Sequence, residues 1–192
     1  METQIRSYIT TSKGVKSVNI FGYATKGVPG LEINGVGKLS KNIKEKLIYL
    51  TRTRRMKLPT KRFVICVDIN DLDGDVPWSE LKWLEFPILL SFWYLASLLP
   101  ISKLDDCLCA GWISSIGDIF QTHSPSHLRF ELLKKLNPVE VMELKLITFV
   151  NENEGDFYAI DSAMLLEHIE NINFKLDYID NNSAIPINSF IA

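Results

Sequence analysis

Cysteine is scarce in this sequence of 192 residues: Cys66, Cys107 and Cys109 are all there is. A small, odd number excludes a disulfide framework and fits a reducing compartment. The opening METQIRSYITT has no apolar core of the kind a secretory leader needs, so a cytoplasmic location is expected. The uncharged run Phe86–Ile101 falls short of the ~20 residues of a membrane span and has proline near both ends. It reads instead as a buried helix, and membrane insertion is not expected. There is no internal repeat and no low-complexity block. No GxxxxGK loop followed by Ser or Thr occurs, so a phosphate-binding loop of that kind is absent.

What is present is an ordinary globular composition, 46% hydrophobic and 23% charged. A chain of this size buries roughly 70% of its unfolded surface and needs no covalent staples. One domain over residues 1–172 is expected, followed by an Asn-rich, Pro-containing tail, 173–192, docked or loose. The net charge of −2 conceals a strong asymmetry. Between Lys38 and Arg62 ten basic residues face the single acid Glu45, and between Asn137 and Asn182 ten acids face Lys145 and Lys175.

The stretch Lys61–Pro100 organises the rest. Phe63–Ile69 alternates as a half-buried strand should. Asp71, Asp73, Gly74, Asp75 and Pro77 supply turn chemistry. Pro87–Leu99 then carries no charge, with Pro87 suited to a first helical position and Pro100 closing the run. A helix apolar all round must be buried all round.

Upstream, Ile5–Thr11 and Lys16–Ala24 read as strands about a Lys13–Gly14 turn, and Leu31–Asn34 as a short strand among glycines. Ser40–Arg55 has helical period, with Leu39, Ile43, Leu47 and Leu50 on one side and lysines on the other. Downstream come a strand Cys107–Ser114, a turn Ile116–Gly117–Asp118, a helix Ser126–Leu136 and a strand Leu144–Val150. An acidic turn Asn151–Gly155 leads to a strand Phe157–Ile160, then a helix capped by Asp161 or Ser162 and running to about Ile172. This order predicts an α+β layer sandwich.

Three segments carry a family resemblance: KGVPGLEINGVGK (Gly30, Ile33, Gly35), LPTKRFVICVDINDL (Pro59, Lys61, Arg62, Val64, Asp71, Leu72) and KWLEFPILLSFWYLA (Glu85, Pro87, Ile88, Leu90). They resemble the family patterns NGLPGFTIVGLPD, FPPKRITVNLAPADL and GSRFDLPIALGILAA. A weaker echo, AGWISSIGD, resembles GELALDG. The chain is thereby similar to the N-terminal domain of the ComM/YifB-type competence proteins, which are magnesium-chelatase-related ATPases. The resemblance implies a Lon-protease-like sandwich of the ribosomal protein S5 domain 2-like fold, with a central buried helix. It departs from the family in two ways. The AAA+ module that follows this domain in the family has no counterpart in the sequence, and the NLAPAD run is replaced by Cys66–Asp71.

A Lon-type peptidase would need a serine near the central helix and a lysine about forty residues on, because a hydroxyl is a weak nucleophile until a base takes its proton. The corresponding position falls near Trp83. Ser79 is the nearby substitute, and counting on from it reaches Gln121–Thr122, with no lysine until Lys134. Ser79 reads better as a turn or cap hydroxyl, and no catalysis is expected. Cys107-x-Cys109 with His123 and His127 superficially resembles a zinc set, but the cysteine spacing is too short; core thiols and surface histidines are the preferred reading. Asp71-x-Asp73-x-Asp75 lacks the glycine and closing glutamate of a calcium loop. Gly27–Gly37 precedes a strand, where a dinucleotide loop must precede a helix. Neither metal nor cofactor is expected.

The remaining signal is a binding signal. The cations of 38–62 serve either as a solvated face or as a partner-facing patch, for an acidic protein segment or for nucleic acid, with no aromatic accompanying them beyond Tyr49 and the adjoining Phe63. The acid-rich second half offers two further outlets, head-to-tail self-association or internal pairing across the sheet. Of the four tryptophans, Trp93 should be core, Trp78 partly exposed and Trp83 second in exposure. The expected partner surface is Lys44, Arg52, Arg54, Arg55 and Trp78. The expected role is an adaptor or accessory subunit to an ATPase of DNA-processing, translocation or secretion machinery. The alternative is a nucleic-acid accessory in DNA uptake or recombination.

Overall fold

The computed structural model describes residues 1–11, 14–69, 76–150 and 157–177. Lys13, the Asp71–Asp75 turn with Leu72, the Asn151–Gly155 turn and the tail from 178 onward lie outside the described residues.

The chain opens with β1 (Glu2–Thr11) and β2 (Gly14–Thr25), an antiparallel pair in register from Glu2 opposite Tyr23 to Thr11 opposite Gly14. Period-two alternation turns Ile5, Ile9, Val18 and Ile20 into the core and leaves Phe21 and Tyr23 on the other face. Next come β3 (Gly30–Asn34) and α1 (Leu39–Thr53), then β4 (Arg62–Asp68), which lies between β3 and β2. Gly35 turns the chain out of β3 at φ +93°, and a Cβ there would sit 1.9 Å from the Val67 carbonyl oxygen, so only glycine fits. The helices α2 (Trp78–Leu81) and α3 (Glu85–Leu95) flank a single 3₁₀ turn, Lys82–Leu84.

Three short strands follow: β5 (Cys107–Cys109), β6 (Trp112–Ile113) and β7 (Ile119–Gln121). The helices α4 (Leu128–Leu133) and α5 (Pro138–Glu143) precede β8 (Lys145–Thr148), and then come β9 (Tyr158–Asp161), α6 (Ser162–Leu165) and β10 (Phe174–Leu176). The main sheet has the order β3-β4-β2-β1-β5-β8-β9, and β2 runs against the other six strands. A small sheet has the order β10-β7-β6. One face of the main sheet packs on α1 and α3. Part of the other face, around Tyr8, Val15, Leu108 and Leu146, is covered by Leu128 and Leu132 of α4 and Val141 of α5. The protein is thus a mixed α+β sandwich.

At its centre is α3, buried at every residue but Tyr94. The expectation of a helix apolar on all sides and enclosed on all sides holds, but its limits shift. The helix begins at Glu85 rather than Pro87 and ends at Leu95 rather than Leu99. Pro87 is tolerated because amides in the first turn have no intrahelical acceptor. The end is set by Ser97, at φ +61°: its amide donates to the Tyr94 carbonyl and the Leu98 amide to the Trp93 carbonyl. That is the hydrogen-bond pattern of a helix closed by a left-handed residue. α1 ends the same way, with Arg55 at φ +53°, its amide on the Arg52 carbonyl and the Met56 amide on that of Thr51.

The single strand expected over Cys107–Ser114 is two strands in different sheets. The break falls at Gly111, whose amide donates to the Trp83 carbonyl and whose carbonyl accepts from the Phe86 amide. The backbone is claimed there by the start of α3. The helix expected to run to Ile172 is α-helical only over Ser162–Leu165, with Asp161 Oδ1 capping the Ala163 amide at 2.8 Å as expected. Residue 173 does not begin a loose tail, because β10 pairs parallel with β7 and closes the small sheet. Among the described residues, no helix is long and apolar enough to cross a membrane.

Candidate partner-binding surface

α1 turns Ile43, Leu47, Leu50 and Thr51 inward. Thr51 Oγ1 accepts a hydrogen bond of 2.9 Å from Trp93 Nε1, which ties α1 to α3. The 3.6-residue period then leaves Lys41, Glu45, Tyr49 and Arg52 along the outward stripe, with Lys38 before it and Arg55 after it. Tyr49 is 57% exposed.

The cations of this segment divide into outward and inward groups. Lys46 reaches inward: its Nζ lies 2.7 Å from both carboxylate oxygens of Glu85 and 2.7 Å from the Ile113 carbonyl oxygen. Arg54, expected on the partner surface, is half-buried, and its Nη2 donates to the Ile116 carbonyl oxygen at 3.2 Å. Its Nε is buried without a partner. Arg54 is therefore held against the Ile116–Gly117 turn. Arg52 and Arg55 are exposed.

Lys44 is half-buried, close enough to β3 to help lower the Glu32 carboxyl. The main cause there is the hydrogen bond from Arg62, whose Nη2 lies 2.6 Å from Glu32 Oε2. Trp78, at the start of α2, is 44% exposed, as expected. α2 packs over β1, however, whereas α1 packs over β3, so the structure does not gather Trp78 and the α1 cations over the same strand. Trp83, expected to be second in exposure, is 8% exposed and packed in the core.

At the C-terminal end of α1 a polar cleft of about 460 Å³ is lined by Thr53, Arg54, Arg55, His168, Glu170 and Asn171. This is one place where the acidic half of the chain meets the basic half. A second cleft, of about 550 Å³, opens where the first residues of β1 run beside 103–105 without pairing; Phe21, Tyr23 and Tyr94 are among its walls.

The catalytic and metal alternatives separate in space or chemistry. Ser79 is exposed on α2, and Lys134 has its ammonium 2.5 Å from Glu131. Gln121, where a Lon-type lysine would be counted from Ser79, is buried in a filled amide network. Its Nε2 donates to the carbonyls of Ile147 (2.9 Å) and Ala110 (3.3 Å), and its Oε1 accepts from Ser162 Oγ (2.9 Å) and the Phe149 amide (3.2 Å). Burial, with Asp106 beside it, pushes the Cys107 thiol up to about 12, and burial raises Cys109 as well. A zinc ligand must be a thiolate, while His123 and His127 are exposed. Among the described residues, no three His, Cys, Asp or Glu side chains converge as a metal site.

Sequence reasoning missed the inward turn of Lys46 and Arg54. Nothing in a run of lysines and arginines marks which member is internal; the available signal was a lone acid, Glu85, in an otherwise apolar helix. No protein-family model matches the sequence, and no curated protein matches it.

Proposed function

We propose that this chain is a non-catalytic interaction module of Lon-like, ribosomal protein S5 domain 2-like architecture. In this reading it works in the cytoplasm as an adaptor or accessory subunit to an ATPase motor supplied in trans. The observation that carries the reading is the exposed stripe of α1. Lys41, Tyr49 and Arg52, with Glu45 the one acid among them and Lys38 and Arg55 at either end, stand on a helix tied to the core by Thr51–Trp93 and Lys46–Glu85. A helix presenting one aromatic on a predominantly cationic stripe suits an acidic partner surface, since such anchors concentrate binding energy while the charges steer the encounter. Trp83, buried at the place where a Lon-type nucleophile would fall, supports a role in binding rather than hydrolysis.

A photo-crosslinking residue placed at Tyr49 in cells tests this. The expected product is a conjugate with an ATPase subunit, lost when Arg52→Glu and Arg55→Glu are added. Conjugates that are insensitive to those changes, or that contain no ATPase, overturn the reading.

The exposed Tyr49 among cations also favours a second reading, a nucleic-acid accessory. That reading requires an affinity for single- or double-stranded DNA that falls steeply with salt. Absence of binding at low salt removes it.

A further inference from the structure

β1 is an inner strand of the main sheet, yet along its first residues it has a neighbour on one side only. β5 begins at Cys107 and meets β1 at a single position, Leu108 beside Arg6. The Cys107 amide, which would continue the ladder toward Gln4, donates instead to the Leu104 carbonyl at 2.9 Å. The chain turns away there, and the cleft of about 550 Å³ lies between residues 2–4 and 103–105. Its far wall is held in place. Arg6 Nη1 donates to the Asp105 carbonyl and the Tyr94 hydroxyl to the Ser102 carbonyl, both at 2.8 Å, while Leu104 is buried.

The ladder with β2 decides what β1 shows to the cleft. The Ala24 amide donates to the Met1 carbonyl, so the register makes Thr3–Gly22 and Ile5–Ile20 the hydrogen-bonded pairs. Glu2 and Gln4 therefore turn both amide and carbonyl toward the cleft, where among the described residues no strand pairs with them. Donors and acceptors alternating at strand spacing match one class of ligand, the backbone of an extended peptide. On the outer face Phe21 stands opposite Gln4 and Tyr23 opposite Glu2, 47% and 43% exposed. The charged residues of the lining are Glu2, Lys103 and Asp105, and Lys103 is tied to Asp106 at 3.1 Å. An acidic rim beside two exposed aromatic rings favours lysine or arginine on the incoming strand.

We propose that this notch receives a short extended segment of a partner protein, with basic and apolar residues in alternation, as a strand added to β1. Its basic side chains lie on the outer face beside Glu2, Phe21 and Tyr23, and its apolar ones turn inward toward Tyr94 and Leu104. Residues 178–192 of the chain itself match the rim less well, since Asp180 is their only charge. The site shares no residue with α1 and takes a partner of opposite charge, so it stands apart from the ATPase reading.

Selection of a displayed library of random heptapeptides on the full chain tests this. Enriched peptides are expected to alternate apolar residues with lysine or arginine, and one of them, made synthetically, is then titrated against variants. Gln4→Pro removes an amide that β2 does not use, and proline is tolerated where a strand amide faces away from its ladder. It should weaken the peptide at least about tenfold, whereas Gln4→Ala, which keeps the amide, should not. Glu2→Lys should weaken it through charge with the backbone intact. In hydrogen exchange the Gln4 amide gains protection when the peptide is added. Circular dichroism checks folding, and the last two measurements decide even if Gln4→Pro does not fold. The proposal is overturned by an empty selection, an acidic consensus, an affinity unchanged in Glu2→Lys or a Gln4 amide left unprotected. Equal affinities of folded Gln4→Pro and Gln4→Ala overturn it too, as does a peptide of residues 178–192 that binds as tightly as the basic one.

Discussion

Lys46 of α1 and Glu85 of α3 form a part-buried ion pair in which one ammonium meets both carboxylate oxygens at 2.7 Å. The carboxylate is 1% exposed and the lysine side chain 24%. The Ile113 amide donates to Glu85 Oε2 at 2.9 Å and the Ile113 carbonyl accepts from Lys46, so the pair also anchors β6. Removing one member strands the other. Lys46→Met is expected to lower unfolding free energy by about 3 kcal/mol in urea titration. The double variant Lys46→Met/Glu85→Leu should recover part of that loss, giving a coupling energy in a mutant cycle.

Arg55 and Ser97 close α1 and α3 in a conformation that favours glycine. Arg55→Gly and Ser97→Gly are each expected to stabilise by about 1 kcal/mol, visible as a higher urea midpoint at unchanged slope. Gly35→Ala is expected to do the opposite. Its Cβ would overlap the Val67 carbonyl, and failure to accumulate folded protein is the predicted result.

Gln121 has both ends of its amide filled, joining β5, β8 and α6. Gln121→Ala leaves buried carbonyls and a buried hydroxyl without partners, at an expected cost of about 2 kcal/mol or more. Thermal melts compared with an exposed Gln4→Ala control read this directly.

Acid should act on the fold through its paired carboxylates, Asp118 among them. The hydrogen bond from Lys175 holds the Asp118 carboxyl below the ordinary 3.8, against the opposing effect of burial. The stabilisation is complete above that ordinary value and is lost as pH falls through the folded one. Asp118→Asn is expected to flatten the acid limb of a stability–pH profile below about pH 4. Glu80 has the opposite sign: burial raises its carboxyl above 4.5, and its Oε2 has no partner. Glu80→Gln is expected to stabilise at neutral pH, with a gain that shrinks as pH falls and Glu80 in the native protein takes up its proton.

Much of this architecture was legible from short-range pattern. The alternation of β2, the period of α1 and the enclosure of α3 follow from which side of each element is apolar, and this is local information; β4, expected to alternate as a half-buried strand, instead buries Phe63, Val64 and Ile65 in succession. The features that were not legible depend on distant partners. Gly111 interrupts a readable strand because Trp83 and Phe86 take its backbone hydrogen bonds, and residues 83 and 111 are adjacent only in three dimensions. Phe174–Leu176 has no strand signature of its own and is a strand only because β7 lies beside it. For the candidate surface, the cationic character of α1 and the exposure of Trp78 were readable. Which arginine turned inward was decided by the Ile116 carbonyl, 62 positions away in the chain.

β10 bears on where this protein can be cut. Asp177, just beyond the strand, accepts a hydrogen bond of 2.7 Å from Trp112 Nε1 and lies 3.7 Å from Lys82 Nζ, beside a Trp112–Phe120 stack whose ring centroids are 4.0 Å apart. A shortened version ending at residue 172, where composition alone suggests stopping, would uncover that stack and the side of Phe86 that Phe174 shields. The smallest self-sufficient version must therefore retain Asp177.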